Sequence, residues 1–152
     1  MEEIYKNTIH EVEIHGVNSD GFGVCRINGR AVFVKNALQG EKWKIKILKS
    51  NKTAIWAKTE RLLSPASKER RMPECPHFGI CGGCNFLHLD YESELAAKVA
   101  GINNSLSKIA KTEVRVEKIV GAQNTVGYRN KAILAVGKKD GIAVAGFYRA
   151  GS

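Results

Sequence analysis

The sequence has no uninterrupted apolar run of about 18 residues, so a membrane-spanning helix is not predicted. Its N-terminus has no basic segment followed by an apolar one, so we predict no secretory signal and expect a cytoplasmic protein. Aromatic residues make up only 7% of the 152 residues, which argues against a module that binds mainly by stacking bases. There are only four cysteines, and without a secretion signal they favour metal binding or catalysis over disulfides.

Positive charge is what the chain has in excess, since 24 Lys and Arg residues against 15 Asp and Glu give a net charge of +9. Such an excess favours an acidic partner such as nucleic acid. The net charge is +4 in residues 1–64, zero in residues 65–90 and +5 in residues 91–152. The neutral middle segment also holds three of the four cysteines and all three prolines, which is typical of a linker with an embedded site.

Residues 1–64 predict short strands with no helix between them. Apolar and polar residues alternate at several places, and Asn28-Gly29 between two apolar runs is the signature of a two-residue hairpin turn. Five short strands in about 60 residues favour a small β barrel, which would leave few exposed strand edges. Their alternation also places Trp43 and Trp56 in the barrel core. The predicted strands lie at 11–15, 24–27, 31–34, 42–47 and 53–63.

The part after the cysteines predicts one helix and about three strands. Asp90 is expected to cap a helix whose apolar residues fall on one stripe. This stripe consists of Leu95, Val99, Ile102, Leu106 and Ile109. The strands are predicted at 114–120, 128–136 and 142–149, with a turn at Asp140-Gly141 between the last two. One helix and three strands give a small core, so we expect a chain cut short within this domain.

These patterns together predict three segments. Residues 1–64 form a small β barrel, residues 65–89 a linker with a cysteine-rich loop, and residues 90–152 an incomplete α+β domain.

The most specific motif is Cys75-x5-Cys81-x2-Cys84. Three thiolates within ten residues can converge on one ion or cluster, and the glycines between them supply the backbone freedom that this needs. Spacing alone leaves zinc and iron–sulfur open. Zinc would take His77 or His88 as its fourth ligand, although a histidine in a loop is more often solvated. A four-thiolate iron–sulfur cluster would need a fourth cysteine.

The remaining cysteine, Cys25, lies on a predicted strand, and we expect a buried, inert thiol there. Lysines dominate residues 42–59, which contain no acidic residue. Lys42, Lys44 and Lys46 share one face of one predicted strand, where they would neutralise phosphates in a salt-sensitive, sequence-indifferent way. An ordinary solvated strand face is the alternative interpretation.

Residues 75–84 (CPHFGICGGC), with His88 and Asp90 after them, resemble the RNA (uracil-5-)-methyltransferases, in particular those that act on 23S ribosomal RNA. Other segments in matching order resemble the family's N-terminal TRAM domain, an OB-like RNA-binding barrel, and its central domain. The TRAM-like segments are 21–26 (GFGVCR), 31–34 (AVFV) and 37–41 (ALQGE), and the central-domain segments are 128–132 (YRNKA) and 146–152 (GFYRAGS). Lys35 and Gln39 depart from the family pattern, which usually has prolines there.

The resemblance implies a 4Fe-4S cluster held by Cys75, Cys81 and Cys84, with a fourth cysteine roughly ten residues beyond Ser152. It also implies methyl transfer from S-adenosylmethionine to C5 of uridine, in which a cysteine thiolate adds at C6 and a general base removes the C5 proton. In the family this chemistry belongs to a C-terminal Rossmann-like domain, and no glycine-rich strand-to-helix turn occurs in the present sequence. We therefore expect the RNA-binding and cluster-binding part of the enzyme, inactive by itself, with S-adenosylmethionine bound only by the full-length protein.

Arg129 and Lys131 share one face of a predicted strand and match the family's Tyr-Arg-Asn-Lys element, so with Arg149 they form a second group of predicted RNA contacts. The expected partner is 23S ribosomal RNA, and the expected oligomeric state is a monomer. Two alternatives stay open. One is a free-standing RNA-binding module with structural zinc or iron–sulfur, and the other is the corresponding part of a transfer RNA (uracil-5-)-methyltransferase.

Overall fold

A computed structural model describes residues 4–149 of the chain. These residues contain eight strands and one long helix, and six of the strands come before the cysteine loop. The six are β1 (Ile9–Glu13), β2 (Gly16–Val17), β3 (Gly23–Ile27), β4 (Arg30–Lys35), β5 (Lys42–Ser50) and β6 (Ala54–Leu62). The later elements are α1 (Tyr91–Lys108), β7 (Ala135–Lys139) and β8 (Ile142–Gly146).

The first six strands form one curled sheet, a half-barrel, in the order β1-β5-β6-β4-β3-β2. Neighbouring strands are antiparallel except β4 and β6, which run parallel. β1 and β2 are consecutive in the chain yet lie at opposite edges of the sheet, and the amide of His15 between them donates to the Val24 carbonyl at 2.8 Å. One bent segment of the chain therefore supplies the strands at both edges of the sheet. The predicted strand-only β domain is confirmed, and β2 is a strand that the sequence analysis missed.

Both predicted hairpin turns are confirmed by their backbone angles. Asn28 and Gly29 have φ values of 50° and 78°, and Asp140 and Gly141 have 51° and 85°. Positive φ at both central residues is the geometry whose twist matches that of paired strands, and Asn, Asp and Gly tolerate it best. The same local signal thus forms the β3–β4 turn and the β7–β8 turn.

Alternating residues of the curled sheet form its core. The fully buried members include one residue from the β1–β2 bend, three pairs from β4, β5 and β6, and Cys25 from β3. Cys25 is buried as predicted, and burial raises the pKa of its thiol to about 11, which disfavours the reactive thiolate. The core residues are Ile14, Cys25, Val32, Val34, Ala37, Ile45, Ile47, Ile55 and Ala57.

The predicted helix is confirmed as α1, and the Asp90 carboxylate accepts a hydrogen bond from the Ser93 amide at 2.8 Å. Two strand predictions after it are wrong in whole or in part. Residues 114–120 form no strand, and the strand predicted at 128–136 begins only at Ala135. The strand predicted at 142–149 is present as β8 but ends at Gly146. Extended residues become a strand only when a neighbour completes their hydrogen bonds, and within residues 4–149 the 114–120 segment pairs with none.

The helix α1 is not long and apolar enough to cross a bilayer, and the same is true of every helix in the described residues.

Candidate nucleic-acid interface and cysteine loop

The linker is fastened to the half-barrel by a buried ion pair between Glu41 and Arg70. The Glu41 side chain is fully buried, and Arg70 Nε and Nη2 donate to its two oxygens at 2.6 and 2.8 Å. Backbone amides of Leu38 and Ser67 and the indole Nε1 of Trp43 also donate to this carboxylate, at 2.9, 3.2 and 2.7 Å. A buried charge is tolerated when it is paired and hydrogen-bonded in this way.

These partners decide the protonation state of Glu41. Burial by itself raises the pKa of the carboxyl, but the hydrogen bond from Arg70 opposes it, helped by those from Leu38, Trp43 and Ser67. The net result lowers the pKa of Glu41 from 4.5 to about 2. The Glu41 carboxylate is therefore ionised near pH 7.

The cysteine loop, residues 75–84, also packs against the half-barrel, as the linker does. Lys35 Nζ, on β4, donates to the Gly79 carbonyl at 2.9 Å. Gly21 touches the backbone next to Cys84 so closely that a β carbon there would lie 2.4 Å from the Asn85 carbonyl oxygen. Gly21 also has a φ of 74°. Only glycine fits both demands, so the GFG segment of the half-barrel is shaped to receive this loop.

The three thiols of the loop are differently placed. Cys75 and Cys84 are exposed and line one open cavity of about 700 Å³, whereas Cys81 is half-buried and does not line it. The Cys81 Sγ accepts a hydrogen bond from the Gly83 amide at 3.3 Å. Within residues 4–149 no three His, Cys, Asp or Glu side chains are gathered closely enough to hold a metal ion. As donors, three accessible thiols with an amide directed at one sulfur suit an iron–sulfur cluster or zinc.

The end of the described chain lies beside this loop. Cys81 pairs with Arg149 in an isolated antiparallel bridge, and the Gly82 amide donates to the Tyr148 carbonyl at 3.4 Å. Arg129 lines the same cavity as Cys75 and Cys84. The structure therefore brings two of the three residues in the second predicted RNA group to the cysteine loop. Lys131 is exposed and does not line the cavity.

His88 is a residue that the sequence analysis misjudged, because it is buried and not solvated. Its side chain is 1% exposed, its ring lies 5.2 Å from that of Phe78, and neither ring nitrogen has a hydrogen-bond partner among the described residues. Burial, helped by the positive charge of Arg70, lowers the pKa of His88 to about 4, although Glu41 opposes this. The imidazole is therefore neutral near pH 7. His77, the other predicted zinc alternative, is exposed.

The three lysines predicted to bind RNA lie in a row along β5, on its outer side. Lys42 is exposed, and Lys44 and Lys46 are half-buried. The pairing with β1 places Glu13 opposite Lys42 and Glu11 opposite Lys44. Glu13 forms an ion pair with Lys42 at 3.5 Å. The sequence pattern missed these carboxylates because they come from a strand about 30 residues earlier in the chain. Since they lie opposite Lys42 and Lys44, Lys46 is the lysine of the three with the least acidic neighbour on β1.

The two tryptophans differ in a way that the sequence analysis did not predict. Trp43 packs against the core and donates to Glu41, so its prediction is confirmed. Trp56 lies between the buried Ile55 and Ala57 on β6 and is directed to the outer face, so its assignment to the core is wrong. The alternation of Trp56 with its neighbours was predicted correctly, but the face of the sheet on which its side chain lies was not.

Comparison with known proteins finds similarity in the half-barrel and over nearly the whole chain. Residues 3–54 match the model of the TRAM domain, and this range contains β1 to β5 and the first residue of β6. The chain is also 37% identical over 150 residues to a protein of Bacillus cereus named "Uncharacterized RNA methyltransferase". That match covers 98% of the chain and 32% of the relative.

Relatives from two other genera give the same result. A Listeria innocua protein with that description is 39% identical over 144 residues, which is 95% of the chain and 32% of the relative. A Clostridium tetani protein is 33% identical over 145 residues, 95% of the chain and 31% of the relative. The chain thus spans about a third of the length of these relatives. Its N-terminal part is a TRAM domain, and over nearly its whole length the chain is a homologue of proteins named RNA methyltransferases.

Proposed function

We propose that the chain is the RNA-binding and cluster-binding part of an S-adenosylmethionine-dependent RNA (uracil-5-)-methyltransferase. The TRAM domain match, together with relatives named RNA methyltransferases, is the observation that carries this proposal. The cysteine motif adds the uracil-5 specificity by its resemblance to that family. The substrate that we favour is 23S ribosomal RNA, with transfer RNA as the alternative.

The surface charge supports RNA as the partner. The lysines of β5 lie on the outer side of the half-barrel, and the net charge of the chain is +9. Arg129 and Arg149 add two more cations near the cysteine loop. Each phosphate neutralised releases counterions, which favours binding at low salt without selecting a sequence. The half-barrel would therefore hold the RNA, while selection of one uridine would depend on other parts of the enzyme.

The cysteine loop supplies three of the four thiolates that a 4Fe-4S cluster needs. Cys75, Cys81 and Cys84 would hold the cluster, and the Gly83 amide would continue to donate to the Cys81 sulfur. The Tyr148–Gly82 contact supports a fourth ligand from residues that follow, because it brings the chain to the loop at that point. When bound, the cluster would join these distant segments through metal–sulfur bonds.

We place the methyl transfer itself in the part of the relatives that this chain does not span. Burial raises the pKa of the Cys25 thiol, which is the opposite of what a nucleophile requires. The other three thiols belong to the proposed cluster. In this chain the residues thus bind and position RNA and do not react with it.

A free-standing RNA-binding module with structural zinc is the second candidate function. The buried imidazole of His88, without a hydrogen-bond partner in residues 4–149, favours it. However, the charges that act on this ring are those of Arg70 and Glu41, and the aromatic ring beside it is that of Phe78. Because none of these is a cysteine, we favour the iron–sulfur proposal.

RNA binding is tested by fluorescence anisotropy with a labelled single-stranded fragment of 23S ribosomal RNA between 50 and 200 mM salt. Replacement of Lys42, Lys44 and Lys46 by glutamine should reduce the slope of log K against log [salt] by about 2, since each single-strand phosphate contact contributes about 0.7. The control is the double variant Lys138→Gln/Lys139→Gln in β7, which should leave the slope unchanged. A flat salt response of the unmodified chain would contradict the proposal, and a stronger competition by transfer RNA would favour the alternative substrate.

The cluster is tested by iron, sulfide and zinc analysis of protein reconstituted without oxygen. Iron and sulfide with broad visible absorbance are expected, and Cys81→Ala should lose most of both. Cys25→Ala is the matched control, because that thiol is buried in the half-barrel and should not affect metal content. One equivalent of zinc without iron would overturn the cluster and favour the second candidate.

A further inference from the structure

The outer side of the curled sheet carries two rows of side chains that cross β5, β6 and β4. In the first row, Trp56 lies opposite Lys49 on one side and opposite Phe33 on the other. The Trp56 and Phe33 rings are 6.1 Å apart between centroids, and Lys49 Nζ is 5.6 Å from the Trp56 ring centroid. The row thus combines two aromatic rings with a cation.

The second row is basic and runs parallel to the first. Lys58 lies opposite Lys46 in β5 and opposite Lys35 in β4. On β6 it is two residues from Trp56, so the two rows are about 7 Å apart along the strands. Lys35 is engaged with the Gly79 carbonyl, and Lys58 is 3.1 Å from Glu60 in an exposed ion pair. Lys46 is therefore the cation of this row that a ligand can reach directly, and Lys58 can bind a ligand by leaving Glu60.

An irregularity of β5 brings the two rows together. The strand register shifts between Ile47 and Lys49, so that Lys49 and not Leu48 lies opposite Trp56. Without this bulge, strict alternation would direct Lys49 toward the core. Bulges of this kind commonly redirect a side chain at a site of function. Here the bulge places a cation on the aromatic row.

The surface continues past Lys49 at the edge of the sheet. A depression of about 460 Å³ is lined by Tyr5, Lys6, Leu48 and Lys49, among others. Tyr5 is 59% exposed, so this depression adds a third aromatic side chain and another lysine beside the row. Aromatic rings and lysines therefore lie side by side from Tyr5 to Phe33.

The outer basic–aromatic face is defined by Phe33, Lys46, Lys49, Trp56 and Lys58. Lys46 and Lys58 lie opposite each other on neighbouring strands, and like charges in such positions are destabilising. Glu60 compensates the charge of Lys58 only, so an anion beside Lys46 would be bound favourably. Aromatic rings beside cations fit a nucleic acid whose bases are unpaired, because such bases can stack on the rings while the phosphates meet the cations. In a duplex the base faces are stacked inside and cannot reach the rings.

We propose that the outer basic–aromatic face binds single-stranded RNA, with bases stacked on Trp56 and Phe33 and phosphates beside Lys46 and Lys58. Binding would displace the Lys49 ammonium from the Trp56 ring to a phosphate. The inference rests on the proposed function, since it assigns a site within an RNA-binding chain. It adds base stacking on two aromatic rings to a surface whose composition alone indicates only charge-driven binding.

The first test measures the affinity of the 152-residue chain for a mixed-sequence, 12-nucleotide single-stranded RNA and for the matching duplex. Trp56→Ala should weaken single-strand binding about tenfold, the usual loss for one stacked base, and leave the salt slope unchanged. Lys46→Ala should instead reduce the slope by about 0.7. Phe147→Ala is the control, because Phe147 is an exposed aromatic outside this face. Its affinity should not change.

The second test does not depend on the folding of Trp56→Ala. The chain has two tryptophans, and Trp43 packs against the core, so RNA stacking should quench the Trp56 fluorescence alone. In Trp56→Phe the stacking ring is kept, and binding should persist within about threefold while the quench disappears. Melting temperatures of all variants show whether each one is folded.

The outcomes separate the inference from the proposed function. If the unmodified chain binds no RNA, both fail. If it binds RNA but folded Trp56→Ala binds equally well, or if the quench persists in Trp56→Phe, the aromatic face is overturned and the RNA-binding function stands. Tighter binding of the duplex than of the single strand would also overturn the face.

Discussion

Residues 4–64 and residues 90–149 use the same local signals and reach opposite degrees of burial. Each part has a two-residue hairpin with positive φ at both turn residues. In the β3–β4 hairpin, Val32 and Val34 are fully buried, whereas in the β7–β8 hairpin Val136 is 78% exposed and Ile142 is 70% exposed. From residue 90 to residue 149 no side chain is buried.

The difference between the two hairpins is their neighbours. β4 is paired with β3 on one side and β6 on the other, so its alternate residues face the core of a six-stranded sheet. β7 and β8 pair only with each other among the described residues. A two-stranded hairpin alone is marginal in water because it has nothing to pack against. Local sequence thus specifies the turn, and non-local packing supplies the stability.

Loss of the buried ion pair is the largest effect that we expect. Glu41→Ala should lower the free energy of unfolding by about 3–5 kcal/mol, because it leaves Arg70 without its partner and three other donors unsatisfied. Denaturant unfolding measures this change. The control Glu74→Ala removes an exposed carboxylate paired with Arg71 at 3.3 Å and should change the free energy by less than about 0.5 kcal/mol. Equal effects of the two would show that the pair does not hold the linker.

The next largest difference in the free energy of unfolding is expected between substitutions in the core and substitutions in the β7–β8 hairpin. Ile45→Ala, at a fully buried position, should cost about 2–5 kcal/mol in the free energy of unfolding. Ile142→Ala removes the same atoms from an exposed position in β8 and should cost less than about 0.5 kcal/mol. Denaturant melts followed by Trp43 fluorescence make the comparison. A large cost at Ile142 would mean that the hairpin is packed in solution.

Acid should destabilise the half-barrel in two steps. The pKa of His88 is about 4 in the folded chain and 6.5 when unfolded, so the unfolded state takes up its proton first and stability falls as the pH drops from 6.5 to 4. Glu41 has a folded pKa of about 2 against 4.5, so its contribution is present above pH 4.5 and is lost toward pH 2. Each step is of the order of 3 kcal/mol.

The first acid step is assigned by substitution. His88→Leu should remove the decline in the free energy of unfolding between pH 6.5 and 4, whereas His77→Gln, at an exposed position, should keep it. Urea unfolding at intervals of half a pH unit is the measurement. A decline that survives in His88→Leu would place the titrating group elsewhere.

The smallest predicted effect concerns the start of α1. Asp90→Ala removes the carboxylate that accepts from the Ser93 amide and should cost about 1 kcal/mol, seen as lost helical circular dichroism on mild heating. Asp90→Asn keeps an acceptor and should recover most of it. If both variants behave alike, the cap contributes charge and not a hydrogen bond.

The sequence was sufficient for features set by neighbouring residues. Asn28-Gly29, Asp140-Gly141 and the Asp90 cap were all predicted, because each depends on the conformational preference of one or two residues. The register that places Glu13 opposite Lys42 was not, because strand pairing joins residues far apart in sequence.

Burial of polar groups was the least predictable feature of the candidate site. Glu41 and Arg70 form an ion pair although they are 29 residues apart in the chain, and no local sequence pattern near either residue predicts it. His88 was expected in solvent because histidines in loops are usually solvated, yet its ring is buried beside Phe78 and is influenced by the charges of Arg70 and Glu41. The outward direction of Trp56 needed the sheet itself, since alternation alone leaves both faces equivalent.

The hydrogen bond from the Gly82 amide to the Tyr148 carbonyl has a consequence for biosynthesis. A ribosome that adds about 5–20 residues per second needs roughly 3–13 s to extend the nascent chain from the cysteine motif to Tyr148. During that interval the loop lacks this contact, and Cys75 and Cys84 are on the surface even in the finished fold. Cys81, which pairs with Arg149 in the finished fold, is therefore the thiol whose exposure to oxidants should fall most when this part of the chain arrives.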